Sequence, residues 1–208
     1  MNLKTAFYHT QNLIWPKEGR YILAQYDKDS IIVYQAYRPA IANFALKHGY
    51  FGGEFKLTRM SWVKTNFLWM MYRSNWASKV GQEFVLAVRI KRDFFDYILE
   101  QAVPSSFDSD LYLNQQQWKK EMLESSVRLQ WDPDHDPKGN PLTRRALQLG
   151  LRNDVLREYS KEAIIEIINI TDFVKIQKSN IDSKDLITPK EEIYIPENKE
   201  LIKILKLS

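Results

Sequence analysis

The chain contains no cysteine in its 208 residues, which excludes a disulfide framework, thiolate catalysis and a cysteine-based zinc finger. Histidine occurs three times, as His9, His48 and His135, and no pair stands at metal-ligand spacing. With only seven glycines there is no Gly-x-Gly-x-x-Gly, no phosphate-cradling Gly-x-x-x-x-Gly-Lys-Ser and no Gly-x-Ser-x-Gly. Rossmann, P-loop and serine-hydrolase readings therefore lack their motifs. No apolar stretch approaches the eighteen residues that read as a membrane span. Met1-Asn2-Leu3-Lys4 opens without the apolar run of a secretory signal. The expectation is a cytoplasmic protein with no membrane contact.

What is present is a chain long enough for one sizeable core, with 13% aromatic residues. That proportion favours strands and stacking surfaces over a plain helical bundle. The net charge is +4 but is unevenly placed. Between Glu54 and Asp93 there are eight lysines and arginines against three acidic residues, an excess larger than that of the whole chain. Such a local field attracts phosphate-bearing partners, nucleotide or polynucleotide, unless it is simply a solvated basic face.

Residues 1–19 read as an irregular N-terminal arm, pinned by Trp15-Pro16. Residues 20–174 read as the core domain, and 175–208 as a polar tail packed on it. Arg20 to Tyr26 and the β-branched Ile31 to Tyr37 read as strands. Pro39 opens a helix that Gly49 closes. Thr65 is positioned to cap a buried helix through Phe67-Leu68-Trp69-Met70-Met71-Tyr72, with Trp69 and Trp76 on nearly one face. Gln82 to Ile90 reads as a strand, Asp93 as the cap of a helix to Ala102, and 111–123 as a weaker helix. Val127 to Trp131 and Arg145 to Leu151 read as strands around an irregular loop, 132–141. Asn153 caps a helix to Lys161, and Ile164 to Val174 is extended. The sum is an α+β single domain of two small, mostly antiparallel sheets with short helices.

Asp132, Asp134 and Asp136 have the odd spacing of a calcium loop. The glycine and glutamate such a loop needs at its sixth and twelfth places are here Pro137 and Thr143, so no metal is expected. The polar residues set within apolar strands are more telling. Gln35 and Gln148 must find hydrogen-bond partners if buried. Arg20 opens one strand and Arg145 another. If Gln35 and Gln148 converge near Tyr34, Tyr37, Trp69 and Tyr72, they form a cleft suited to a base and a ribose.

Tyr34-Gln35-Ala36-Tyr37, the block from Trp62 to Ser74, Gln130-Trp131-Asp132-Pro133 and Arg145 to Leu151 resemble the uncharacterised family known as domain of unknown function 4291. A second resemblance is to ADP-ribosyltransferases of the diphtheria-toxin and poly-ADP-ribose-polymerase type, in the Tyr34 strand, the helix to Gly49, and Tyr72 ahead of the strand from Phe84. That likeness implies an ADP-ribosyltransferase-like fold and NAD as cofactor, with a protein or nucleic-acid acceptor. It assigns Gln35 to ribose hydroxyls, Tyr72 to nicotinamide stacking and Arg73 or Lys64 to the pyrophosphate. Gln148 falls where the family has a catalytic glutamate, and Glu83 is the alternative carboxylate. The rival expectation is a non-catalytic RNA- or DNA-binding module in which Trp62, Trp69 and Trp76 stack bases along a basic groove.

Overall fold

The computed structural model describes residues 3–208. Its centre is a seven-stranded sheet in the order β6-β7-β8-β4-β3-β5-β9, formed by β3 (Ser30–Tyr37), β4 (Ser61–Lys64), β5 (Phe84–Lys91), β6 (Ala102–Pro104), β7 (Val127–His135), β8 (Pro141–Leu151) and β9 (Ile164–Asn169). Every neighbouring pair is antiparallel except β6 with β7. Two ribbons flank it: β1 (Thr5–Phe7) with β10 (Ile187–Pro189), and β2 (Ile22–Ala24) with β11 (Glu192–Tyr194). The α+β expectation holds. Small sheets are present as the two ribbons, and beside them stands a larger, seven-stranded sheet, in which β4 joins a β7–β8 hairpin to a β3–β5–β9 half.

Strand alternation sorts side chains between two cores. Ile31 and Val33 enter one, with Phe94, Phe95, Ile98 and Leu99 of α4 (Arg92–Glu100) and Leu156 and Tyr159 of α6 (Asn153–Lys161). Ile32 and Tyr34 enter the other, with Phe67, Leu68, Met70 and Met71 of α3 (Phe67–Ser74) and Val174 of α7 (Thr171–Lys178). Helix α2 (Pro39–His48) ends on Gly49 at φ 74°, as its sequence requires. The remaining helices are α1 (Tyr8–Ile14), α5 (Gln115–Glu124) and α8 (Lys199–Ile204).

Several local expectations are corrected. Asn66, not Thr65, caps α3: its Oδ1 accepts from the Trp69 amide at 2.7 Å, whereas the Thr65 hydroxyl has no partner among the described residues. The helix stops at Ser74 because Asn75, Trp76 and Ala77 all take positive φ, so Trp69 and Trp76 do not share a helical face. Asp93 lies in the first turn of α4 rather than at its cap, which is Lys91. Arg152 occupies the cap position assigned to Asn153. Residues 171–178 are helical rather than extended. Strand β7 continues through Pro133 to His135. Proline is tolerated there because β6 pairs only with residues 127–129, leaving the rest of β7 an edge on that side.

The expected arm and tail are ordered against each other. The Gln11 amide donates to the Thr188 hydroxyl at 2.8 Å and to the Pro189 carbonyl at 3.1 Å, and Trp15 Nε1 donates to the Glu191 carbonyl. Glu191 in turn accepts from the Phe67 amide at 2.7 Å, at the first turn of α3. Arg144, 2% exposed, donates to Asp134 at 2.5 Å and 2.8 Å and to the Pro16 carbonyl at 2.6 Å. Burial raises the Asp134 carboxyl and Arg144 opposes that rise. Replacing Asp134 by Ala strands the guanidinium in the interior. The expected cost is about 3–5 kcal/mol in urea unfolding; a loss below about 1 kcal/mol, the range of exposed pairs, would contradict this role.

Candidate functional site

Strands β3 and β4 are held side by side by a single residue pair, Tyr34 with Lys64. Beyond it they separate, and the backbone groups left behind need other partners. Gln35 supplies one, for the Trp62 carbonyl. Its Nε2 donates to the Trp62 carbonyl at 3.1 Å and to the Ser61 hydroxyl at 2.9 Å, while its Oε1 accepts from the Tyr159 hydroxyl at 2.6 Å. Tyr37 bonds the same Ser61 hydroxyl at 3.0 Å, and burial pushes its phenol well up, so it stays neutral. The parting opens a cleft of about 730 Å³, ample for a nucleotide.

Pairing register builds the floor. Gln130 lies opposite Gln148, Gln148 opposite Lys64, and Lys64 opposite Tyr34. Gln148 therefore starts from the opposite face of the sheet to Gln35, yet both line the hollow, because the sheet is split between them. Gln148 Nε2 donates to Asp132 Oδ2 at 2.6 Å and Gln130 Nε2 to Asp132 Oδ1 at 2.8 Å. A carboxylate only accepts, so it fixes which way both amides face. Their Oε1 atoms make no hydrogen bond within the described residues. Asp134 holds Arg144, and Asp136 accepts from the amides of Lys138 and Asn140. The three aspartates thus serve three separate tasks.

Lys64 is 6% exposed. Its ammonium lies 4.8 Å from the Trp69 ring centroid and has no carboxylate partner among the described residues. Burial lowers its pKa to about 7; Arg73 pushes in the same direction and Asp132 opposes. Helix α3 brings Met70 and Arg73 to the cleft, and residues 54–60 bring Lys56 and Arg59. Arg38 also lines it but is paired with Glu54. Trp62 lies over Gly150, where a Cβ would come within 3.0 Å of its ring and 2.5 Å of Met60 Sδ. That strand position must stay bare for the indole to reach the cleft.

Of the residues singled out in the sequence, Gln35, Tyr37, Trp62, Lys64, Arg73 and Gln148 meet here. The others do not. Tyr34 is fully buried beneath α3, with its hydroxyl unpartnered among the described residues. Trp69 is buried behind Lys64. Tyr72 points away and stacks on His135 at 3.6 Å, since it is one position from Arg73 and so about 100° round the helix. Glu83 is outside the lining and accepts from the Gly81 amide. Arg20 lines a second hollow of about 530 Å³ with Ser105 and Trp131. Arg145, bridged to Arg20, is exposed. Gln130 and Asp132 were not anticipated as members of the site. The alternation of Gln130 and Asp132 with apolar neighbours was the available signal, and it was hidden by reading 132–141 as a loop.

Gln35 is thus a structural tie rather than a free ribose anchor. Gln35→Met is expected to cost about 1–3 kcal/mol in urea unfolding by orphaning the Tyr159 hydroxyl and the Trp62 carbonyl. Adding Tyr159→Phe should then cost less than it does alone. Strictly additive losses would show that the two side chains are not coupled.

A search of curated proteins finds no match to this chain. A family profile described as "Domain of unknown function (DUF4291)" matches residues 21–200, a span that takes in the whole seven-stranded sheet and every side chain lining the cleft. The chain belongs to the DUF4291 family.

Proposed function

We propose that the cleft binds a phosphate-bearing nucleotide, that NAD⁺ is its ligand, and that ADP-ribose is transferred from it to a protein or nucleic acid. One observation carries this reading. Lys56, Arg59, Lys64 and Arg73 line the hollow without an anionic partner among the described residues, beside the two free acceptor oxygens of Gln130 and Gln148. Unpaired cations suit a pyrophosphate, acceptor oxygens suit ribose hydroxyls, and Trp62 offers a face for a base.

In this reading Lys56, Arg59 and Arg73 hold the diphosphate, and Gln148 and Gln130 receive ribose hydroxyls. Asp132 supplies the negative charge that favours an oxocarbenium-like transition state. It stands behind Gln148, where the transferases that the sequence resembles carry glutamate. Tyr72 has no part, since it stacks on His135 outside the cleft. The strand-binding reading needs exposed tryptophans. Trp69 and Trp76 are 5% and 7% exposed, which leaves Trp62 alone of the three to stack a base.

Millimolar NAD⁺ should raise the melting temperature, because a ligand present at 100 times its Kd stabilises the native state by about 2.7 kcal/mol. Arg59→Ala and Arg73→Ala should each lose most of that shift without changing the unliganded melting point. A chain indifferent to NAD⁺, ADP-ribose and ADP alike would overturn the nucleotide reading. Tight oligonucleotide binding that weakens steeply with salt would favour the strand binder instead.

A further inference from the structure

Lys64 has a chemistry that nucleotide binding alone does not require. An ammonium removed from water is costly unless an anion compensates it, and a cationic neighbour adds to the cost. Three elements border Lys64. On β3 its register partner is Tyr34, whose buried phenol stays neutral; on β8 it is the uncharged Gln148; and α3 contributes the Trp69 ring and Arg73, while the charge of Asp132 on β7 acts from beyond Gln148. The only carboxylate of the set already accepts from two glutamine amides. Lys64 is therefore a lysine without an ion pair among the described residues, set at a strand end in the lining of a cleft whose other cations draw in anions.

We propose that Lys64 is a nucleophilic amine that forms an imine with the carbonyl carbon of a phosphate-bearing aldehyde or ketone held in this cleft. The open-chain form of ADP-ribose belongs to that class. The Nζ lone pair adds to the carbonyl carbon, and one amine proton passes to the oxygen to give a carbinolamine. Loss of water then leaves the C=N bond, so both amine hydrogens depart with the carbonyl oxygen. Water reverses the step, and no oxidant or reductant takes part. Desolvation beside a second cation is an established means of keeping a lysine neutral and reactive, and the fall of its pKa to about 7 agrees with this. The inference rests on the cleft being a phosphate site and does not require NAD⁺.

Pyridoxal 5′-phosphate is the probe: brief exposure at limiting concentration, borohydride reduction and peptide mapping of the intact chain. An ordinary lysine is almost entirely protonated at pH 7. Lys64 should therefore take the label at least about tenfold faster than the exposed lysines, with a rate that levels off just above pH 7. Pyridoxal without its phosphate should label it far more slowly. Lys64→Met, which suits a buried site, should keep the fold by circular dichroism and lose the rapid label. Labelling confined to surface lysines, or a Lys64 rate still climbing at pH 10, would overturn the proposal. If Lys64 labels as described but ADP fails to protect it, the amine stands and the nucleotide reading falls.

Discussion

One rung of the sheet governs this molecule. Tyr34 and Lys64 are the residues at which the β7–β8–β4 half meets the β3–β5–β9 half. A continuous ladder there would leave a flat, closed sheet with Gln35 and Gln148 on opposite faces. With one rung in place the halves are joined but free to part, and the parting is the cleft. A gap inside a sheet is normally penalised through its unsatisfied backbone groups. Here the Gln35 amide satisfies one such group, the Trp62 carbonyl, and also bonds the Ser61 hydroxyl, and Tyr159 and Tyr37 hold the amide and Ser61 in position.

The same rung decides the chemistry. Lys64 is buried because a strand residue in register with Tyr34 and Gln148 has no route to solvent except through the opening beside it. Helix α3 closes the far side and carries Arg73 to the opening. Its first turn depends on Asn66 and on Glu191, a residue from the other end of the chain. The buried Arg144–Asp134 pair ties the N-terminal segment to the β7–β8 hairpin. Peripheral segments thus position the site without touching a ligand, which explains why residues near both ends are so fully hydrogen-bonded.

Much of this was legible beforehand. Ile31 to Tyr37 and Phe84 to Ile90 are strands because β-branched and aromatic residues dominate them, and α2 begins at Pro39 and ends at Gly49 for local steric reasons. Of the basic residues concentrated between Glu54 and Asp93, Lys56, Arg59, Lys64 and Arg73 line a hollow, and Lys79, Arg89, Lys91 and Arg92 do not. Thr65 and Asn66 are both competent caps, and only the turn geometry chooses between them. Tyr72 and Arg73 are adjacent in sequence, and helix phase alone sends one to His135 and the other to the cleft. The split between β3 and β4 left no mark that periodicity could read. It depends on how many residue pairs two distant strands share, a tertiary property. Asp132 was misplaced because an Asp-Pro run suggests a turn, whereas an edge strand accommodates it.

The parted sheet is where a ligand is expected to sit. A crystal structure of the chain with ADP-ribose bound addresses this directly. The diphosphate is expected between Arg59 and Arg73, with ribose hydroxyls donating to the Oε1 atoms of Gln148 and Gln130. ADP-ribose seated instead in the hollow beside Arg20 and Trp131, or the parted strands left empty at saturating ligand, would contradict it.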